Sequence, residues 1–288
     1  QYDMNKAIEL IALAKEYCGK RVIDDLSLMV EEGEIFGFLG PNGAGKSTAI
    51  RILTTLTKPT AGHALINGFD VAKQPHMVKS QFGIVQQHLS LNRELTVREN
   101  LERHARLHHL SGWEKDRRID ELLEFVDMTG FAHQLIDEIS GGMKRRAMIA
   151  RALIHRPKIL FLDEPTVGLD AQSRRRVWDL IRGMNSEGAT VFLTTHYIDE
   201  AEMLCHRVGI IHQGRSMAIG SADQLRRNLG EIAVESKRDG RTRYCYFPDK
   251  EAASKFVLEM KAADGVVMRQ SNLEDVFIEL TGRRVLEE

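Results

Sequence analysis

Hydrophobic positions along this chain fall into distinct patterns. Short runs that are apolar throughout occur at Ile35-Phe36-Gly37-Phe38-Leu39, Ile159-Leu160-Phe161-Leu162 and Val191-Phe192-Leu193. Runs of this length without polar alternation predict strands buried on both faces of a sheet. Between them, residues 93–156 carry helical signals with few β-branched stretches. After Gly142, residues Met143, Ala147, Ala150 and Ile154 recur at three- and four-residue steps. That spacing predicts one face of a helix, with Pro157 as its stop. The predicted order is β-rich, then helical, then α/β, with no internal repeat.

A composition shift follows Gly230. Ile232-Ala233-Val234 and Tyr244-Cys245-Tyr246-Phe247 flank Asp239-Gly240, a hairpin signal. A helix over Glu251–Ala263 and a strand at Val266-Val267-Met268 are expected next. Ser271 is expected to open a last helix, with Glu274 completing a capping box and Gly282 as its stop. The expected organisation is a domain over 1–230, with a helical insert at about 93–156, and a small α/β appendage over 231–288.

The strand at Ile35–Leu39 runs directly into Gly40-Pro41-Asn42-Gly43-Ala44-Gly45-Lys46-Ser47, which fits G-x-x-x-x-G-K-[ST] without a mismatch. The segment after it, from Thr48 to Leu53, can be helical, the context the motif requires. Glycines let backbone N–H groups turn inward around phosphate oxygens, and the helix N-terminus adds its positive dipole end. Lys46 can reach β- and γ-phosphates, and the Ser47 hydroxyl can ligate Mg²⁺. The run at 159–162 delivers Asp163 and Glu164 at a strand end. Asp163 is placed to hold Mg²⁺. Glu164 is expected on the other face of the strand, where it can polarise the attacking water.

Ile139-Ser140-Gly141-Gly142-Met143 then resembles the LSGGQ signature of ABC ATPases, and Ser140 lies 23 residues before Asp163, as in that family. The fold implied by the resemblance is a P-loop NTPase of the α/β class. It has a RecA-like core, an antiparallel β subdomain and a helical insert. The family's other motifs follow in order. Tyr17 matches the aromatic that stacks on adenine. Gln87 matches the Q-loop glutamine, a Mg²⁺ ligand and γ-phosphate sensor. Asp170, in Gly168-Leu169-Asp170, matches the D-loop. His196, after Thr195, matches the histidine that contacts the γ-phosphate. The resemblance covers about residues 8–228. It implies ATP and Mg²⁺ as cofactors, with Thr48 completing the phosphate loop. It also implies a head-to-tail dimer in which Ser140, Gly141 and Gly142 close on ATP held by the opposite subunit. The signature departs from the family at Ile139 and Met143, the Q-loop reads Gln86-Gln87-His88, and Cys18 stands where a glycine often follows the stacking aromatic.

The segment from Asn272 to Gly282 resembles the end of the ATPase subunits of drug, antibiotic and lipid exporters, whose permeases are separate six-helix proteins. Phe277 and Leu280 are expected to pack the last helix on the appendage. The resemblance implies a subunit at the cytoplasmic face of a membrane, peripheral through its permease, whose helices seat between core and insert.

Composition adds exclusions. With 40 basic against 41 acidic residues, net charge offers no reason to expect nucleic acid as a partner. Lys144-Arg145-Arg146 and Arg174-Arg175-Arg176 read as solvated helix faces. The three cysteines, Cys18, Cys205 and Cys245, are far apart and suit a reducing compartment. The start of the chain, with Asp3, Lys6 and Glu9, lacks a secretory signal's apolar core. No run approaches the roughly 20 apolar residues needed to span a bilayer, so a soluble subunit is expected. His104 and His108 have metal-ligand spacing on a helix, beside His109. With no third carboxylate or cysteine ligand nearby, they read as exposed histidines. Trp113 and Trp178 read as packing residues. Two rival readings are a soluble ABC ATPase acting on ribosomes or DNA, and an importer subunit. The single cassette and the absence of a long coiled coil speak against the first. Importers more often end in β-barrel extensions, which are not expected here.

Overall fold

A computed structural model describes residues 6–238, 241–260 and 265–282. The chain opens with β1 (Lys6–Tyr17), β2 (Lys20–Glu31), β3 (Ile35–Leu39), α1 (Lys46–Leu53), β4 (Ala61–Ile66), β5 (Phe69–Asp70), α2 (Pro75–Lys79) and β6 (Phe82–Val85). Three helices follow: α3 (Val97–Leu107), α4 (Gly112–Phe125) and α5 (Gly141–Ala152). Then come β7 (Ile159–Asp163), α6 (Ala171–Ser186), β8 (Thr190–Thr195), α7 (Ile198–Leu204), β9 (Arg207–His212), β10 (Arg215–Gly220) and α8 (Ala222–Leu229). The chain closes with β11 (Ile232–Arg238), β12 (Arg241–Phe247), α9 (Lys250–Glu259), β13 (Val266–Gln270) and α10 (Leu273–Thr281).

The central sheet has the order β10-β9-β3-β8-β7-β6, and its pairs from β9 to β6 are parallel. Every residue of β3 and β8 is buried, as continuous apolar runs require. A second sheet, β2-β1-β4-β5, is antiparallel. Its inward residues, among them Ile8, Leu13, Ile23 and Leu26, share a core with Phe36, Phe38 and Phe192 of the central sheet. The three helices α3, α4 and α5 enclose Leu101, Ile119, Leu122, Leu123 and Met148. The α3 start is set by a capping box in which Thr96 and Glu99 hydrogen-bond reciprocally. A third sheet, β12-β11-β13, carries α9 and forms a separate small core around Ile232, Val234 and Ala253.

Several sequence expectations are corrected. Helix α5 ends at Ala152, with Leu153 as its C-cap, although the apolar repeat runs on to Ile154. The α10 N-cap is Asn272, paired with Asp275, not Ser271 with Glu274. Ser271 instead donates its hydroxyl to Gly230 O. Helix α9 stops at Glu259, short of Ala263, and the Asp239-Gly240 turn lies outside the described residues. Arg145 and Arg146 are buried, not solvated: Arg145 donates to Gln86 O and Gln87 O, and Arg146 to Val126 O and Asp127 O. Trp113 is 73% exposed, beneath Arg117, whereas Trp178 packs on the core and donates its indole N–H to Glu200. His104 and His108 are half-buried, not exposed.

The last helix turns its apolar side away from the small sheet, to which its Asp275 is tied by Arg269 of β13 and Tyr246 of β12. Leu273, Val276 and Phe277 enter a cluster with Leu39, Ala201, Val208, Ile210 and Leu225, on the flank of the central sheet. Its amphipathic pattern is the same for either surface, so only the tertiary contacts identify the partner. Phe277 is fully buried there. Phe277→Ala should lower stability by about 3–5 kcal/mol through lost burial and the cavity left behind. Denaturant unfolding measures this. A loss under 1 kcal/mol would show that α10 is loosely attached.

Candidate functional site

The register of the central sheet assembles the site. Leu39 of β3 pairs with Thr195 of β8, and Thr194 of β8 pairs with Asp163 of β7. The C-terminal ends of three adjacent parallel strands therefore meet at one edge, the crevice where α/β sheets place their ligands. The loop after β3 begins with Gly40 N donating to Thr195 O at 3.2 Å. A Cβ at Gly40 would sit 2.5 Å from Ile211 O, so no larger residue fits. Gly45 adopts a φ of 108°, and a Cβ on it would lie 2.9 Å from Val22 O of β2. The antiparallel sheet thus braces the loop, and glycine is demanded twice over. Asn42 and Gly43 are exposed, whereas Ala44 and Lys46 are buried.

Lys46 Nζ donates to Gly40 O at 2.6 Å and to Pro41 O at 3.3 Å, and lies 3.1 Å from Glu164 Oε1. The other Glu164 oxygen, Oε2, is 2.8 Å from His196 Nδ1. Ser47, beside Thr48 on the first turn of α1, donates its hydroxyl to Asp163 Oδ1 at 3.3 Å. Glu164 does not continue the strand onto its opposite face, as simple alternation predicts. Its φ of 50° turns the backbone out of β7, and its carboxylate joins Asp163 on the phosphate-loop side. A left-handed backbone at a non-glycine residue costs about 1–3 kcal/mol and persists only where its surroundings hold it. Here Glu164 N donates to the hydroxyl and the carbonyl of Thr194, each at 3.1 Å. Burial raises the Glu164 pKa, but the His196 hydrogen bond and the Lys46 charge outweigh it, and the carboxyl is held below its ordinary value. It is a buried anion at neutral pH.

Ser140 caps α5 by accepting from Met143 N at 3.3 Å, so Gly141 and Gly142 form the first turn. Gly142 packs against α6: a Cβ there would meet Ser173 Oγ at 2.5 Å. Ser173 is in turn fixed by Asp170, the α6 N-cap, which accepts from Ser173 N at 2.9 Å and from its hydroxyl at 2.8 Å. The signature and Asp170 therefore form one packed unit. Among the described residues no hydrogen bond or ion pair joins this unit to Lys46 or Ser47. Tyr17 is 40% exposed at the end of β1, with Lys15 Nζ 4.7 Å from its ring centre. Gln87 is exposed after β6; its backbone oxygen is held by Arg145, and among the described residues no hydrogen bond joins its side chain to Ser47 or Asp163.

Sequence reading missed Thr194. Its hydroxyl donates to Asp163 Oδ1 at 2.6 Å while accepting from Glu164 N, so one buried side chain orders the Asp163 carboxylate and the Glu164 backbone. A threonine in an apolar strand carries no signal of this in the sequence. It also missed Glu200, whose Oε1 accepts from Thr166 and Trp178 behind the site; burial raises its pKa.

The family described as ABC transporter matches residues 23–167. Relatives span nearly the whole chain. The Nod factor export ATP-binding protein I of Burkholderia thailandensis is 39% identical over 96% of this chain and 98% of its own. The chain belongs to the ABC transporter family. This ABC ATPase is also 39% identical to the daunorubicin resistance ATP-binding protein DrrA3 of Streptomyces coeruleorubidus, over 98% of each chain. Residues 222–282 match the C-terminal domain of the nodulation factor export protein NodI. Among solved structures, an ATP binding subunit of an ABC transporter superposes with a TM-score of 0.70 at 32% identity, over 77% of this chain and 92% of that one. The ATP-binding cassette MJ0796, dimeric in a post-hydrolysis state with ADP and Pi, gives 0.68 at 28%, over 74% and 98%. As an ABC ATPase, the chain binds and hydrolyses ATP. Among the described residues no helix is long and apolar enough to cross a membrane.

Proposed function

We propose that this subunit powers an exporter by closing on two ATP molecules with a second copy of itself, against a separate membrane permease. The observation that carries the catalytic part is the meeting of Lys46, Ser47, Asp163, Glu164 and His196 at one sheet edge. The phosphate chain lies in the loop of residues 40–48, with Lys46 on the β- and γ-phosphates. Ser47 and Asp163 offer a hydroxyl and a carboxylate, the hard oxygen donors Mg²⁺ takes, with Gln87 as a further ligand once its loop turns inward. Bound there, Mg²⁺ would neutralise developing phosphate charge. Glu164, kept ionised, accepts the proton of the attacking water. His196 orients it through Nδ1 and keeps its other nitrogen for the γ-phosphate. Among the described residues no hydrogen bond or ion pair joins Ser140, Gly141 and Gly142 to the phosphate loop of their own chain, which suits a second cradle offered to the partner's ATP.

Export and a separate permease are supported by the relatives' names and by the C-terminal match. The chain then sits at the cytoplasmic membrane face through that permease, with residues 231–288 as its C-terminal module. Co-purification with the membrane protein encoded beside it, followed by reconstitution in vesicles, tests this. ATP-driven release of a substrate from the inner leaflet supports export, and ATP-driven capture from a binding protein refutes it.

Tyr17 is proposed to stack on adenine. Tyr17→Ala should weaken ATP binding by about 1–3 kcal/mol, the usual scale of base–aromatic stacking. A nucleotide titration with unchanged affinity would remove Tyr17 from the site.

A further inference from the structure

A second cluster of chemistry-bearing side chains lies outside the nucleotide site. His104 on α3, His108 at the α3 C-cap and His155, beyond the end of α5, place one ring nitrogen each within 4.8 Å of one another. They line a cavity with Phe82 and Ile84 of β6 and Gln86 just after it, between the helical insert and the central sheet. The third histidine is 47 positions from His108 in the chain, so the pair's helical spacing cannot reveal it. We propose that His104, His108 and His155 form a binding site for one divalent transition-metal ion of the zinc class.

Two observations carry this. The donor set is three imidazoles, the ligands that suit Zn²⁺, Ni²⁺ and Cu²⁺ and that leave a fourth position open. His155 has one ring nitrogen engaged and the other unengaged. Its Nε2–H donates to Phe82 O at 3.0 Å, which makes Nδ1 the acceptor, and that Nδ1 is buried with no hydrogen-bond partner among the described residues. A backbone carbonyl on the remote nitrogen is the outer-shell contact that metal-bound histidines use.

Two features work against tight binding. Arg151 places a positive charge near the cluster, although its guanidinium is held by Ser90 O and Ser90 Oγ. The His108 and His155 rings stack 3.9 Å apart at an angle of 5°. A metal binds along a ring plane, so His108 has to tilt away from His155. It is half-exposed at a helix end and free to do so. An ion held there would tie α3 to the β6 edge through His155 and Phe82.

Zinc titration of the purified full chain against a chromogenic chelator, with metal content checked after gel filtration, tests the site. The wild type should retain one equivalent of Zn²⁺. His104→Ala and the milder His108→Gln should each weaken binding by about tenfold or more, a scale already reached when only outer-shell partners are lost. His133→Ala, an exposed histidine elsewhere, should change nothing. Circular dichroism and ATP binding verify that each variant is folded. The proposal is overturned if wild type and the His104→Ala/His108→Gln double variant take up the same zinc. It is equally overturned if the Co²⁺ complex shows a thiolate charge-transfer band, which places the ion on a cysteine.

Discussion

Glu164→Gln should leave ATP bound and almost unhydrolysed. Glutamine keeps the shape and can still hydrogen-bond water, but it cannot accept a proton. Loss of a general base costs about 10²–10⁴-fold in rate. The substitution spares Ser47, Asp163 and the Thr194 hydroxyl that orders them. It also removes the carboxylate 3.1 Å from Lys46, leaving that ammonium to the phosphates, so ATP affinity should hold or rise. With ATP intact, each nucleotide in the proposed closed dimer would bridge Lys46 of one chain and Ser140 of the other. The variant should therefore be monomeric without nucleotide and dimeric with Mg-ATP. Adding Ser140→Arg should abolish that dimer by filling the second cradle, while ATP still binds the first. Size-exclusion chromatography with light scattering reads the mass, and a phosphate-release assay reads the rate. Normal hydrolysis by Glu164→Gln would refute Glu164 as the base. A monomer at saturating ATP would mean that closure needs the permease.

Lys46→Ala should reduce ATPase activity by a factor of at least about 10²–10³, the cost of losing one preorganised charge-stabilising donor. Two losses combine. The β- and γ-phosphates lose their cation, and Glu164 loses one of the two partners that hold its carboxyl ionised against burial. With only His196 left, its pKa should rise toward its ordinary value. The sign follows for the pH dependence of folding. Depression of a carboxyl pKa stabilises the fold above the ordinary value and is lost on acidification, so Lys46→Ala should flatten that acid-side slope. Initial-rate assays and denaturation at several pH values measure both effects. Near-wild-type turnover would sink the phosphate-loop assignment. An unchanged acid slope would show that the Lys46–Glu164 pair contributes nothing to stability.

The chain itself specified the parts whose chemistry is local. A continuous apolar run ending in Gly40-Pro41-Asn42-Gly43-Ala44-Gly45-Lys46-Ser47 can be little other than a buried strand feeding a phosphate loop. The run before Asp163 and Glu164 and the Ser140-Gly141-Gly142 helix start are legible for the same reason. Strand burial, backbone freedom and capping depend on a few neighbouring residues.

What the tertiary structure decided depends on residues far apart. Alternation along β7 sends Glu164 away from the loop, and a left-handed turn held by Thr194 brings it back. The run of basic residues at 144–146 has no local sign of burial, because Arg145 and Arg146 find their carbonyl partners on other segments. Phe277 reads as apolar for any surface, and only packing assigns it to the sheet flank. The His104 and His108 pair gains its third imidazole from His155 because α3 and the end of α5 meet at β6. Local sequence constrains φ, caps and strand burial, whereas pairing of distant side chains follows from sheet register and helix docking.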